Sequence, residues 1–214
     1  MLSSPREPER RSRSSRTDVM LNRVLVVAAA LLLSASIADA QTASATWLDR
    51  PLSGWNKAGG QVPPAPSASE TTASVISRCR LTPPFSTVAE QAIRAAGWIP
   101  FWNVDQQLVR EDIEIVGGMR QADSMCRPAT YNLFAFVGGQ FAGILSPVPM
   151  TSGGDGASGA VRTPLPAITA EFARYTNADA LCCPSARVVV RYRIDRTTEG
   201  PVVVPEDIRI TRAH

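Results

Sequence analysis

The chain has 214 residues, of which 44% are hydrophobic, and this is enough for one domain with a buried core. Its formal net charge is +3, but residues 1–40 hold six arginines against four acidic residues, so residues 41–214 carry only +1. This near-neutral part contains no basic run, which argues against nucleic acid and anionic membrane surfaces as partners.

Residues 1–40 have the organisation of a leader with a secretory signal peptide. Arg23 precedes an apolar core at residues 24–33, and residues 38–40 form an A-x-A cleavage pattern. A membrane helix needs about 20 apolar residues, so this core is too short to remain as an anchor. We expect export to the periplasm or the exterior, with no membrane span after signal removal and no cysteine at the cleavage site to carry a lipid. By the same pattern, Met20 is a better start than Met1.

Residues 41–75 are rich in Pro, Ser and Ala, which is typical of a flexible segment. Trp47 and Trp55 interrupt this composition. Because large aromatic side chains are costly to leave in water, a competing interpretation is that one of them docks on the domain or on a partner. Residues 76–214 are expected to form a single domain.

A short helix is predicted near the start of that domain. Thr87 and Glu90 have the spacing of a capping box, apolar residues follow at helical intervals, and Gly97 supplies a stop. We place Trp98, Ile99, Phe101 and Trp102, which follow the helix, in or near the core.

The pattern then changes to the alternation of a β-strand. Gly138-Gly139 is a good two-residue hairpin turn because glycine tolerates positive φ. Predicted strands cover residues 109–115 (ending at Gly117-Gly118), 131–137, 140–145, 187–194 and a peripheral 201–211 that Pro205 interrupts. Residues 146–166 are expected to be a long loop, and 167–178 are ambiguous with weak helical spacing. The predicted fold is α+β, with one short N-terminal helix packed on a mostly antiparallel, disulfide-stapled sheet of four to five strands.

Four cysteines in an exported chain predict a disulfide framework. A bond between the adjacent Cys182 and Cys183 would span about 3.8 Å between Cα atoms, below the usual disulfide span of about 4.4 Å or more. Neighbouring side chains of an extended strand point to opposite faces, so we expect Cys79 and Cys126 each to pair with one member of the doublet. Which member pairs with Cys79 is left open.

Metal and redox sites find little support in these cysteines. A thioredoxin-like site needs C-x-x-C, and a zinc site needs cysteine and histidine at recognisable spacings. The chain has one histidine, His214, at its last position. We therefore expect no metal and no cofactor.

Several segments carry a resemblance to a known family. CCPS at residues 182–185 with the apolar strand behind it, the hairpin LFAFVGGQFAG at 133–143 and the loop SPVPMTSGGDG at 146–156 are similar to the LppP/LprE family of exported lipoproteins. The resemblance covers roughly residues 79–195. It implies a helix with an antiparallel sheet, paired cysteines and no assigned enzymatic activity. The chain departs from a lipoprotein in lacking a cysteine at its cleavage site.

Catalytic residue sets are sparse. Acid–base and nucleophilic machinery usually recruits histidine, which this chain lacks outside its terminus. Glu111, Asp112 and Glu114 lie close together, but Glu111 alternates onto the apolar face, which favours an error in the predicted register over an active-site acid. Asp155 and Asp179 are turn residues first.

We therefore expect a non-catalytic envelope or secreted protein that binds a partner or polymer through the 146–166 loop or the sheet face. Within the loop, Met150, Asp155 and Arg162 are the side chains best able to make distinctive contacts. The alternatives are a small hydrolase that uses carboxylates only, or a purely structural exported domain. Two convergent carboxylates in a pocket would favour the hydrolase.

Overall fold

A computed structural model describes residues 46–81, 86–101, 108–110, 112–164, 167–180 and 182–212. The predicted signal peptide and its cleavage pattern lie outside the described residues, as do Trp102 and Glu111. Within the described part of the chain, no helix is long and apolar enough to cross a bilayer.

Two antiparallel sheets form the body of the described structure. The first sheet comprises β1 (Ile99–Phe101), β2 (Leu108–Arg110), β3 (Ile113–Met119), β4 (Ala129–Val137), β5 (Gln140–Ile144) and β6 (Met150–Thr151). The second comprises β7 (Ser158–Arg162), β8 (Ala167–Arg174), β9 (Ala186–Thr197) and β10 (Gly200–Arg212). The strand order of the first sheet is β1-β3-β4-β5, with β2 paired to β3 and β6 paired to β4, and that of the second is β10-β9-β8-β7.

Helical segments are short: a 3-10 turn (Trp47–Asp49), α1 (Thr72–Arg78) and α2 (Val88–Ala95). The predicted capping box of α2 is confirmed. The Glu90 amide donates to the Thr87 hydroxyl at 3.1 Å, and the Glu90 carboxylate accepts from the Thr87 amide at 3.0 Å. Both bonds satisfy donors that a helix start otherwise leaves unpaired.

The central strand β4 is buried on both faces, which orders the molecule into three layers. Leu133, Ala135 and Val137 join a core shared with the second sheet, whereas Phe134 and Phe136 pack on the side of α2. Because both faces are covered, β4 reads as a continuous apolar run. The first sheet is therefore sandwiched between α2 and the second sheet, and the expectation of one sheet with one N-terminal helix is corrected to two sheets and two short helices.

One predicted strand is corrected to a pair. Residues 109 and 110 lie in β2 and residues 113–115 begin β3, with Arg110 opposite Ile113. Gly117 and Gly118 do not end the strand but lie within β3. They are glycines because aromatic rings press on them. A Cβ at Gly117 would lie 2.6 Å from the Phe101 ring, and one at Gly118 would lie 2.7 Å from the Phe134 ring.

The predicted hairpin is confirmed, and the predicted long loop is corrected. Gly138 and Gly139 both have positive φ, 57° and 76°, and connect β4 to β5. Residues 146–166, expected to be without regular structure, contain β6 and β7. Residues 167–174, which had weak helical spacing, form the strand β8. The predicted peripheral strand is the edge strand β10, with an irregularity just after Pro205.

Residues 46–75, which we expected to be flexible, pack against the sheets. The Trp55 indole N–H donates to the Ile144 carbonyl at 2.9 Å, and that of Trp98 donates to the Pro63 carbonyl at 2.8 Å. The Trp47 ring lies 4.9 Å from that of Phe172, edge to face. The competing interpretation, in which a tryptophan docks on the domain, is therefore the one the structure adopts.

Asn56 joins the two sheets where β5 and β10 approach each other. Its amide oxygen accepts from the Ile144 N–H at 2.9 Å, and its amide nitrogen donates to the carbonyls of Ile144 and Val203 at 3.0 and 2.9 Å. Gly143 leaves the room this requires, because a Cβ there would lie 2.3 Å from the Asn56 side chain.

Candidate binding site

A cleft of about 370 Å³ lies where the 3-10 turn meets the segment that leads into and out of β6. One wall comes from residues 46–50 and the other from residues 148–156. Its lining residues are Thr46, Trp47, Arg50, Val148, Pro149, Met150, Thr151, Asp155 and Gly156.

Local hydrogen bonds hold the first wall in place. Thr46 and Asp49 form a capping box around the 3-10 turn, in which the Asp49 carboxylate accepts from the Thr46 amide at 2.9 Å. The other oxygen of Asp49 pairs with Arg174 at 2.8 Å, which ties the turn to the end of β8.

The second wall is fixed to the same arginine. One carboxylate oxygen of Asp155 pairs with Arg174 at 3.2 Å and accepts from the Tyr175 amide at 2.8 Å. Arg174 therefore lies between two carboxylates, one from each wall, and holds the walls in register. Surface ion pairs contribute little individually, so this arrangement serves geometry more than stability.

Two donors on the cleft walls have no partner among the described residues. The indole N–H of Trp47 is buried and unpaired beside Gly156, where a Cβ would lie 3.1 Å from the nitrogen. An unsatisfied buried donor costs about 1–3 kcal/mol and asks for an explanation. Arg50 is exposed, and its guanidinium forms no ion pair within the described part of the chain.

Two of the three predicted binding residues meet in this cleft. Met150, only 4% exposed, and Asp155 both line it. Arg162 does not, because it lies on β7 and pairs with Glu171 at 2.9 Å. No sequence pattern indicates Arg50 as a site residue. Trp47 could be noticed from the sequence because it is a large aromatic residue in a Pro-, Ser- and Ala-rich segment.

Of the three acidic residues considered for a hydrolase, the two that the structure describes are held by different partners. Asp112 pairs with Arg196 at 2.7 Å, and Glu114 accepts from the Thr87 hydroxyl at 2.8 Å. Among the described residues, no group of three or more metal-ligating side chains clusters together.

The cysteines pair differently from the prediction. Cys79 bonds to Cys126 across 47 residues with their Cα atoms 5.4 Å apart, and Cys182 bonds to its neighbour Cys183. The prediction required one cysteine of the doublet to reach Cys79 at the end of α1. It failed because Cys126 contacts Cys79 instead. Cys126 lies in the turn before β4 and has a φ of 62°.

Arg78 supports the long-range disulfide from beside it. Its guanidinium donates to the carbonyls of Asp123 and Ala122 at 3.0 and 3.2 Å and pairs with Glu70 at 2.9 Å. The Arg78 hydrogen bond is the main cause that lowers the pKa of Glu70.

The doublet lies in an exposed loop between β8 and β9 that Asp179 organises. Its carboxylate accepts from the amides of Thr176 and Ser185 at 2.8 and 3.0 Å. These backbone hydrogen bonds favour the charged form and lower the pKa of Asp179 to about 2. The Cys183 amide donates to the Ala180 carbonyl at 2.9 Å and closes the turn.

Comparison with protein families gives a match over part of the chain. The model of a family described as LppP/LprE lipoprotein matches residues 112–197, which confirms the resemblance over that part of the chain. The match runs from the turn before β3 to the end of β9 and includes one wall of the cleft. No curated protein and no solved structure matches the chain.

Proposed function

We propose, taking the LppP/LprE match over residues 112–197 as the premise, that this is an exported, non-catalytic protein that binds a partner or polymer at the cleft. The family suggests an exported protein of unassigned role. The binding role and its location are our inference from the cleft.

The observation that carries the proposal is an exposed cation without an ion pair to any described residue, in a cleft lined by both apolar and polar residues. Arg50 offers this cation on one wall, and Val148, Pro149 and Met150 provide apolar surface on the other. Binding sites typically combine apolar walls with a few placed polar groups. The complementary ligand is a segment with an anionic or hydrogen-bond-accepting group beside an apolar one.

The non-catalytic part of the proposal is supported by the separate engagement of the carboxylates. Asp112 and Glu114 are held by different partners, Arg196 and Thr87. A hydrolase that uses two carboxylates needs them to face one substrate from a common site.

The cleft is best tested with point variants. Deleting part of residues 149–163 would remove β7 and the buried Val161 and so disturb the fold. Arg50→Ala removes the cation and Val148→Asp introduces a repelling charge at a residue 47% exposed. Arg209→Ala and Val88→Asp are matched controls away from the cleft; Val88 is 64% exposed.

The experiment immobilises the full chain and its variants and exposes them to the exported fraction of the source cells, with protein and glycan analysis of what is retained. Wild type and both controls should retain the same material. Arg50→Ala and Val148→Asp should each reduce it by about tenfold, equivalent to about 1.4 kcal/mol of binding free energy. Equal retention by all five proteins would contradict the proposed site.

Export is tested independently by the mature N-terminus. Cleavage after Ala40 should leave Gln41 as the first residue of exported material. N-terminal sequencing that begins at Met1 or Met20 would contradict it.

A further inference from the structure

The Cys182–Cys183 disulfide needs an explanation other than fold stability. A disulfide stabilises a fold mainly by restricting the unfolded chain. This stabilisation grows with the logarithm of the number of residues in the loop that the bond closes. This bond closes no loop beyond its own two residues, whose Cα atoms are 3.8 Å apart. Breaking it would return almost no conformational freedom to the unfolded chain.

Accessibility separates this disulfide from the other one. Cys182 and Cys183 are both exposed, whereas Cys79 and Cys126 are half-buried and Cys79 packs against the main core. Thiol–disulfide exchange begins with a thiolate attacking a disulfide sulfur, so access controls it. Exposed disulfides are the labile ones, and those with unusual Cα separations are more readily reduced.

The loop around the doublet is anchored by bonds that do not involve sulfur. The Asp179 carboxylate holds the amides of Thr176 and Ser185 on either side of the doublet, and the Cys183 amide is held by the Ala180 carbonyl. β9 begins at Ala186, directly after this anchored loop. Opening the sulfur–sulfur bond therefore leaves the backbone of the loop tied at both ends.

We propose that Cys182–Cys183 is a thiol–disulfide exchange site that accepts two electrons from a dithiol reductant while Cys79–Cys126 stays closed. One thiolate of the reductant attacks either sulfur of the doublet, breaks the sulfur–sulfur bond and forms a mixed disulfide. The other cysteine leaves as a thiolate. The second thiolate of the reductant then attacks its own partner sulfur, closes the reductant's disulfide and releases the second cysteine thiolate, and both thiolates take up protons from water according to their pKa values.

Graded reduction of the full-length oxidised protein tests the order of opening. The protein is equilibrated with increasing dithiothreitol, alkylated and digested with trypsin; Arg174 and Arg187 flank the doublet, so both of its cysteines fall in peptide 175–187. The doublet should gain two alkyl groups at a dithiol concentration at least about tenfold lower than Cys79 and Cys126. The far-ultraviolet circular dichroism should not change in that interval. Opening of both pairs together, opening of Cys79–Cys126 first, or a bond from the doublet to either of them would overturn the proposal.

A trapping experiment identifies the site of exchange. The probe is a C-x-x-C oxidoreductase whose second cysteine is replaced by serine, so that it cannot complete the exchange. The wild-type protein should form a covalent one-to-one adduct that maps to peptide 175–187, and the control Cys182→Ser/Cys183→Ser should form none. An adduct at Cys79 or Cys126, or no adduct with wild type, would overturn the proposal.

Discussion

The two disulfides of this protein differ in how much of the chain lies between the bonded cysteines. Cys79–Cys126 ties the end of α1 to the turn before β4 and closes a loop between residues 47 apart. Cys182–Cys183 joins neighbours in an exposed loop and ties nothing to anything else. The comparison teaches that a disulfide supports a fold through the chain between its ends, so an even cysteine count alone does not predict how strongly a fold is held.

The largest expected effect concerns the long-range pair. Replacing both Cys79 and Cys126 by serine should lower the free energy of unfolding by about 4 kcal/mol, because the unfolded chain regains the freedom of a long loop. Urea denaturation of the variant and of oxidised wild type measures this difference. An unchanged midpoint would show that the unfolded chain retains structure in this region without the bond.

A smaller loss is expected from Arg78→Ala. The variant removes charged hydrogen bonds to the carbonyls of Asp123 and Ala122 and the ion pair with Glu70. We expect a lower denaturation midpoint than in wild type. The decrease should be smaller than that caused by replacing Cys79 and Cys126. Arg209→Ala, which removes a similar exposed arginine from β10, is the control. Equal effects of the two alanine variants would show that Arg78 adds nothing to the disulfide.

The doublet should matter far less for stability. Replacing Cys182 and Cys183 by serine should change the free energy of unfolding by no more than about 0.5 kcal/mol, as for an ordinary surface substitution. The same urea titration provides the measurement. A loss comparable with that of the Cys79–Cys126 variant would remove the contrast between the two disulfides.

The smallest effect is local and depends on pH. The pKa of Asp179 is lowered from 3.8 to about 2, so its charged form is the one favoured by folding. The ordering it provides is fully present above pH 3.8 and is lost as the pH falls through about 2. A nuclear magnetic resonance titration should show this pKa, and Asp179→Asn should speed amide exchange at Thr176 and Ser185. A pKa near 3.8, or unchanged exchange, would show that the loop is ordered without the carboxylate.

Elements marked by local chemistry were predictable. Thr87 and Glu90 predict the start of α2 because a capping box involves only residues within one helical turn. Gly138-Gly139 predicts the hairpin because its turn requires positive φ, which glycine adopts readily. Gly117 and Gly118 were wrongly predicted to end a strand. Glycine is needed there because of a tertiary contact: aromatic rings from β1 and β4 pack directly against the two residues. The same residue type marks a turn in one place and a packing contact in another.

The residues that meet in the candidate cleft were predictable only in part, for a similar reason. Met150 and Asp155 stand out within their Gly- and Pro-rich segment, but their neighbours in the cleft are about a hundred residues away in the sequence. Arg162 lies apart from the cleft because the segment contains β7, which carries it to a different surface. The cysteine pairing failed because which thiols meet depends on where the turn before β4 lies, and no local pattern encodes that position.

Asn56 has a consequence for how far the edge of β5 is open to pairing with another chain. An edge strand with unpaired backbone groups is a template on which another chain can add a strand, and natural proteins cover or interrupt such edges. At Ile144, the side-chain amide of Asn56 both accepts and donates, as the peptide group of a neighbouring strand would. One side chain thus caps the end of β5 and occupies the place where an intermolecular ladder would begin.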